Sequence, residues 1–227
     1  MEIRVKWEPK VKENFGELSI CIGVINNVKN TKENEEIKRF RLTVYEEVKA
    51  KFNIETLKDN AIVRAYRDFY WKLGIDPTKT RPSGEALLRR VLHGDELPKI
   101  STVVDAYNLA SMKTIVPISG FDKDCLNPPF HVRFARKGES FMGIGMNKPA
   151  ILNDNVLVLT DEKQVLCIYP YRDADYTKIT DTTKNVLLLC YGAPEITSET
   201  LLDAMNLTLS YIQTVAGGNI ETVKVFS

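Results

Sequence analysis

An α+β fold, with helices concentrated in the first half and a mixed or antiparallel sheet in the second, is what this sequence predicts. Three observations carry that prediction. Between residues 37 and 112 apolar residues recur at helical spacing. From His131 onward they gather in short runs parted by glycine, asparagine and charged residues. No regular strand–helix–strand repeat of the parallel kind joins the two halves. Of 227 residues, 44% are hydrophobic and 27% charged, the balance of a globular chain, and residues 1–227 are read as one domain.

Ile3–Trp7 and Leu18–Ile25 predict strands, the second a nearly unbroken apolar run ended by Asn26-Asn27. After the polar tract Asn30–Glu36, Ile37, Phe40, Val44 and Val48 fall on one side of a helix. The next helix turns Leu57, Ala61, Ile62, Ala65, Phe69 and Leu73 inward and stops at Gly74, where left-handed φ is easy. Its stretch Tyr66-Arg67-Asp68-Phe69-Tyr70-Trp71 reads either as a stacking platform for RNA bases or as core. Helical period puts Tyr66, Phe69 and Leu73 on the buried side and favours core.

The segment Thr80–Asp122 organises the rest. It opens with a helix that Ser83 caps, with Glu85 near the positive end and Leu87, Leu88, Val91 and Leu92 on one face. A turn at Gly94 and Pro98 leads to a second helix, Val103–Met112, which carries Asn108 among mostly apolar or small neighbours. The segment closes on Pro117-Ile118-Ser119-Gly120-Phe121-Asp122, read as a turn whose small residues let backbone approach a ligand. Strands are then predicted at His131–Arg136, Phe141–Ile144, Val156–Thr160, Val165–Tyr169 and Val186–Tyr191, with a long loop from Pro170 to Asn185. A helix over Ser198–Gln213, a break at Gly217-Gly218 and a strand over Ile220–Phe226 complete the chain.

A net charge of +1 exerts no global pull on nucleic acid. Lys79, Arg81, Arg89 and Arg90 form a local basic cluster, either an RNA-contacting face or solvated surface. No apolar run approaches the ~20 residues of a membrane span, and MEIRVKWEPK has no signal-peptide pattern, so a cytoplasmic location is expected. Cys21, Cys125, Cys167 and Cys190 lie far apart, and His93 and His131 are the only histidines. Such spacing does not make a zinc site, and neither metal nor cofactor is expected.

Val103-Val104-Asp105-Ala106-Tyr107-Asn108 and Pro117-Ile118-Ser119-Gly120-Phe121-Asp122 resemble the B3/B4 domain of the phenylalanyl-tRNA synthetase β subunit. That domain has V-V-D-x-x-N followed, at the same separation, by P-x-H-A-F-D. Arg136–Glu139 is similar to its A-x-x-G-E turn, Val156–Asp161 to its L-V-I-A-D strand and Asn185–Leu189 to its N-V-L-L-E strand. The likeness covers roughly residues 80 to 190 in order. It implies an editing module that hydrolyses wrongly charged tRNA, here as a free-standing, trans-acting deacylase whose partners are a mischarged tRNA and a synthetase. The chain departs from the family at three places. Ser119 stands where the family has histidine, Leu189 where it has glutamate, and Tyr169–Asp175 where it has a glycine-rich loop.

An aminoacyl ester is already activated, so hydrolysis mainly requires a positioned water and donors for the oxyanion. Asn108, Ser119 and the backbone at Gly120 and Phe121 are the candidates. The Ser119 hydroxyl would hold water or the substrate amine, or else satisfy local backbone. It is not read as a nucleophile, because the G-x-S-x-G elbow is absent and the histidines offer no evident base. Tyr171, Arg172, Asp173 and Asp175 are the candidates for reading the ligand. Arg172 would bind phosphate or the RNA end, and the carboxylates would bind a cationic amine, unless the group is a self-satisfied surface cluster. Losing the family's glutamate and gaining Asp173 points away from tyrosine as the rejected residue and towards a polar or cationic one. A non-catalytic tRNA- or amino-acid-binding module is the alternative, and hydrolysis of a small ester unconnected with RNA a third. All of this requires Pro117–Asp122 and Pro170–Asp175 to face each other.

Overall fold

In a computed structural model that describes residues 2–227, the chain folds as two sheets and a helical layer, an α+β architecture as predicted. In order, the elements are β1 (Val5–Trp7), α1 (Pro9–Asn14), β2 (Ile20–Asn26), α2 (Glu35–Lys51), α3 (Ala61–Lys72), α4 (Ser83–Leu92) and α5 (Thr102–Thr114). There follow β3 (Ile118–Asp122), β4 (Phe130–Phe134), β5 (Ser140–Phe141), β6 (Ala150–Ile151), β7 (Leu157–Thr160), β8 (Val165–Ile168), β9 (Arg172–Asp173), β10 (Val186–Tyr191), α6 (Ser198–Ala216) and β11 (Asn219–Phe226).

One sheet has the order β11-β2-β10-β3 and is antiparallel throughout. The other, β1-β4-β7-β8-β9, is antiparallel except where β1 runs parallel to β4. β5 and β6 form a small separate pair. In the first sheet Leu188 pairs with both Gly23 and Gly120, so these three share a face. The helices cover that face: a Cβ on Gly23 would come within 2.4 Å of Met205 Sδ on α6. Leu189 pairs with Ile22 and with Ser119, which therefore look the other way.

The main core lies between this sheet, the helices and the inner face of the second sheet. It includes Ile22, Tyr66, Phe69, Phe121, Leu159, Leu189 and Leu209, all at most 1% exposed. A smaller cluster of Ala135, Phe141, Leu152, Val158, Val165 and Ala174 backs the second sheet. Cys21, Cys167 and Cys190 are buried apolar residues, as their sequence surroundings indicated, and Cys125 is exposed. The aromatic stretch on α3 is chiefly core, with Trp71 turned outward at 56% exposure.

Several expectations need correction. The segment expected as a turn over Pro117–Asp122 is, from Ile118 on, strand β3, because its backbone pairs with β10, a partner invisible to a local reading. Pro82 occupies the N-cap position of α4, and Ser83, one residue inside, makes no side-chain cap. The predicted helix starting at Leu57 is a 3-10 turn, Leu57–Asp59, followed by α3, which Asn60 caps through Ile62 N and Val63 N. The expected loop after Pro170 contains β9 and a 3-10 turn, Asp175–Thr177. Phe141–Ile144 keeps strand geometry only at its start, with Gly143 bridging to Ala174.

Candidate functional site

β3 and β9 are each the outermost strand of a sheet, and they meet. Ser119 Oγ on β3 donates to Asp173 on β9, 2.8 Å from Oδ1 and 2.7 Å from Oδ2. The Tyr191 hydroxyl, at the end of β10, donates to Asp173 Oδ1 at 2.9 Å. The two segments separated by more than fifty residues thus face each other, and the contact is polar.

Tyr191 is itself braced. Its carbonyl accepts from the Tyr66 hydroxyl at 2.6 Å, and its ring stands edge-on to Tyr169 with centroids 4.9 Å apart. The Tyr169 hydroxyl donates to Gly192 O at 2.9 Å. A carboxylate held by two hydroxyls in such surroundings has competing influences on its proton. Burial raises the Asp173 pKa, hydrogen bonds from Ser119 and Tyr191 and the charge of Arg172 oppose it, and burial prevails.

Backbone pairing decides which amides are free. Tyr191 N–H donates to Pro117 O at 3.0 Å and Lys123 N–H to Asn185 O at 2.9 Å. Antiparallel alternation then commits the N–H and C=O of Ser119 and Phe121 to β10 and turns those of Ile118 and Gly120 to the outer edge. Of the expected backbone donors, Gly120 keeps the position and Ser119 and Phe121 lose it.

Gly120 is glycine for a visible reason. A Cβ there would lie 2.8 Å from Tyr107 Cε1 and 2.8 Å from Ile179 Cδ1. Tyr107 sits on α5 beside Asn108, both partly buried, and neither side chain is hydrogen-bonded to a described residue. Burial, then the charges of Asp173 and Asp105, hold the Tyr107 phenol well above its usual proton affinity, so it stays a donor.

The second candidate group divides. Asp173 pairs with Cys167, a main-core residue, while Arg172 pairs with Ile168, which packs on the smaller cluster. Arg172 therefore lies on the opposite face of β9 from Asp173. Its Nη1 donates to Ile144 O at 3.0 Å, and its guanidinium rests over the exposed Tyr171 ring at 5.2 Å. Asp175 pairs with Lys178 at 2.8 Å in an exposed contact. Only Asp173 of this group reaches the Ser119 cluster.

The basic cluster divides too. Arg89 binds Glu85 at 2.6 Å, and Glu85, fully buried, also takes both Nε and Nη2 of Arg67 at 2.8 and 2.5 Å. Arg90 Nε donates to Glu96 O at 2.6 Å. Lys79 and Arg81 remain exposed. His131 is a surface histidine 3.3 Å from Glu162, in a cleft of about 310 Å³ that also includes Arg133, Glu139 and Asp161. Among the described residues no group of three or more His, Cys, Asp or Glu could hold a metal ion.

Tyr107 and Tyr191 are the residues the sequence reading missed. Tyr191 had a signal: a tyrosine closing a wholly apolar strand brings a buried hydroxyl that needs a partner.

A family model described as the B3/4 domain matches residues 65–217. The chain is 30% identical over 123 residues to the phenylalanine–tRNA ligase beta subunit of Neisseria meningitidis serogroup B, covering 54% of this chain and 16% of that one. The corresponding subunit of Xanthomonas euvesicatoria pv. vesicatoria is also 30% identical over 123 residues, 54% of this chain and 15% of the relative. This chain thus spans about a sixth of the length of those relatives. A crystal structure of an N-terminal fragment of the phenylalanyl-tRNA synthetase beta subunit from Pyrococcus horikoshii superposes with a TM-score of 0.53 at 16% identity, over 97% of this chain and 50% of the fragment. That likeness is one of fold.

Proposed function

This chain belongs to the B3/4 domain family, and from that premise we propose that it is a trans-acting aminoacyl-tRNA deacylase, hydrolysing the ester of a mischarged tRNA. The observation that carries the reading is the Ser119–Asp173–Tyr191 cluster at the meeting of two sheet edges. Ser119 and Leu189, which stand where the resemblance puts histidine and glutamate, are direct cross-strand partners. The family's two polar positions therefore fall together in this fold, and Asp173 brings a carboxylate to the same spot from the other sheet.

In this reading Ser119 and Asn108 position a water on the ester carbon, and Gly120 N–H with the Asn108 amide receives the developing oxyanion. The water oxygen bonds to the carbon, the acyl–oxygen bond breaks, and the ribose oxygen leaves with the water's proton. Asp173 reads the amino acid, favouring a polar or cationic one over an aromatic one. Lys79 and Arg81 meet the RNA. Arg172, on the other face of β9, and Tyr171, in the turn before it and beneath its guanidinium, are assigned to the RNA end, and Asp175 to its approach.

The test is a panel of charged tRNAs incubated with the protein, following release of amino acid. Release above the spontaneous rate, lost in Asn108→Ala and Ser119→Ala, supports the reading. Bound tRNA without release from any member of the panel overturns it in favour of a non-catalytic binding module partnering a synthetase. The replacement of histidine and glutamate by Ser119 and Leu189 is what favours that second reading. Turnover of small esters with none of charged tRNA would overturn both. Arginine-like and aromatic esters hydrolysed at equal rates would refute the polar preference.

A further inference from the structure

We propose that the cleft beside His131, on the outer face of the second sheet, is a binding site for a phosphate group. It calls on none of the residues assigned to ester hydrolysis and is independent of the deacylase reading.

Strand register sets the floor of the cleft. Leu159 on β7 pairs with Val132 on β4, and both belong to the main core, so Thr160 and its partner His131 stand on the opposite face. Arg133 and Val158 share that outer face, and Val158 is part of the smaller apolar cluster. Next to it opens a cleft of about 310 Å³ with no apolar side chain in its lining. That volume is at the small end of the ~300–1,000 Å³ usual for ligand pockets, and with such walls it suits one compact charged group. Two turns wall it, residues 136–139 and 161–164. Asp173 pairs with Cys167, which pairs with Leu159, so the Ser119–Asp173 cluster lies on the other side of the sheet.

Hydrogen bonding decides the sign of the ligand. Glu139 accepts from Arg133 Nη1 and Nη2 at 2.9 and 2.6 Å and from Arg136 N–H at 2.9 Å. Asp161 accepts from the backbone N–H groups of Lys163, Gln164 and Asn127 at 2.8, 2.9 and 2.9 Å. Both carboxylates are thus occupied. Glu162, exposed at the rim, lies 3.3 Å from His131 Nε2. Donors are in surplus. The side chains of Arg136, Lys163, Gln164 and Thr160 make no hydrogen bond or ion pair with a described residue.

Thr160 is the residue that points to a ligand. It is only 2% exposed, and a hydroxyl so buried ordinarily has a partner. Nor is it sealed in: among the described residues, only Trp7 Nε1 and Glu33 Oε1 are inaccessible side-chain polar atoms without a hydrogen bond. Its hydroxyl therefore opens into the cleft that it lines. Donors come from three sides: Thr160 from the floor, Arg136 from one turn, Lys163 and Gln164 from the other. A planar carboxylate offers two oxygens to such a set, whereas a tetrahedral phosphate offers one to each side and takes the charge-assisted bonds of both cations.

The phosphate belongs either to a small phosphorylated molecule or to an RNA backbone, and the test separates these sources. Backbone amide shifts are followed by NMR while the protein is titrated with inorganic phosphate and, separately, with uncharged tRNA, at constant ionic strength. Saturable shifts over 133–139 and 160–164 are expected. If inorganic phosphate produces them the source is a free phosphate group; if only tRNA does, it is the RNA backbone. Thr160→Val keeps the side chain's shape and removes an unpartnered hydroxyl, so its thermal midpoint should hold while affinity for phosphate falls about tenfold or more, the effect of a hydrogen bond to a charged group. If tRNA is the ligand, Arg136→Gln should lower the slope of log affinity against log salt by about one. Glu162→Gln removes the opposing charge at the rim and should tighten binding by about two- to fivefold, the scale of one exposed charge pair, a gain that a merely structural residue would not give. No shift at the cleft with either probe overturns the proposal. So do equal shifts with sodium chloride alone, or unchanged affinity in Thr160→Val. Release of amino acid from charged tRNA, measured separately, reports on the deacylase reading alone.

Discussion

Under the proposed function, Asp173 couples stability and ligand reading at a single carboxyl group. Burial raises its pKa against the pull of Ser119 and Tyr191. A raised folded-state pKa means that the protonated form is the one folding prefers, so this residue's contribution is fully present below the unfolded pKa and lost as pH climbs through the folded one. Asp173→Asn is therefore expected to raise the thermal midpoint at neutral and mildly alkaline pH, with the gain fading as the buffer is made acid. Discrimination among charged tRNAs should fall in the same variant. Thermal melts across a pH series check the first expectation, and a midpoint difference that grows towards acid contradicts it. The residue scale also shows what a sequence conceals. Ser119 and Asp173 are 54 positions apart, and nothing in either neighbourhood announces the other. Asn108 and Ser119 were legible only through the spacing of two motifs, while Tyr107, lying inside one of them, drew no notice because its place against β3 depends on a missing side chain at position 120.

Among elements, the junction of α3, α4 and α5 carries the clearest predictions. Glu85 is buried between Arg67 and Arg89. Burial works to raise its pKa, but the two guanidinium groups more than offset that and hold it below the usual carboxylate range. Its stabilising effect is present above the unfolded pKa and vanishes as pH falls through the lowered one. Glu85→Ala should cost near the low end of the ~3–5 kcal/mol typical of breaking a buried pair, since both arginines retain some solvent. Urea titrations at pH 7 and at acid pH measure it, and the difference between variant and wild type should shrink at the acid end. Gly84→Ala presses a Cβ to 2.5 Å from Ile115 O, which is backbone and cannot turn aside. A loss of about 1–3 kcal/mol or more is expected, seen in the same titration. Most elements were readable because helical period and apolar runs mark them. β3 was not, for proline, serine and glycine look like a turn until β10 supplies the pairing. β9 is two residues long, too short for any period.

At the scale of the whole molecule, charge decides how RNA would be met in the proposed function. The chain is close to neutral, so attraction must come from particular faces. Arg89 is engaged with Glu85, Arg90 with a carbonyl and exposed Lys79 with Asp76 at 3.8 Å, which leaves Arg81 as the cation of that cluster with no partner among the described residues. Arg81→Glu is expected to weaken tRNA binding and flatten its dependence on salt by about one phosphate contact, without moving the thermal midpoint. Arg89→Ala should do the reverse, lowering the midpoint first. Filter binding across a salt series distinguishes them, and equal salt slopes in wild type and Arg81→Glu would remove Arg81 from the interface.

The β3–β9 meeting has a mechanical side. Each strand is the last of its own sheet, so a molecule lodged between them touches two bodies that also meet through Ser119, Tyr191, the Tyr169–Gly192 hydrogen bond, the Phe121–Lys178 backbone bridge and packed side chains. An occupant would act as a rivet. It should slow amide-proton exchange along β3 and β9 together, and protein loaded with a bound analogue should resist proteolysis at the 174–185 connection better than the empty form.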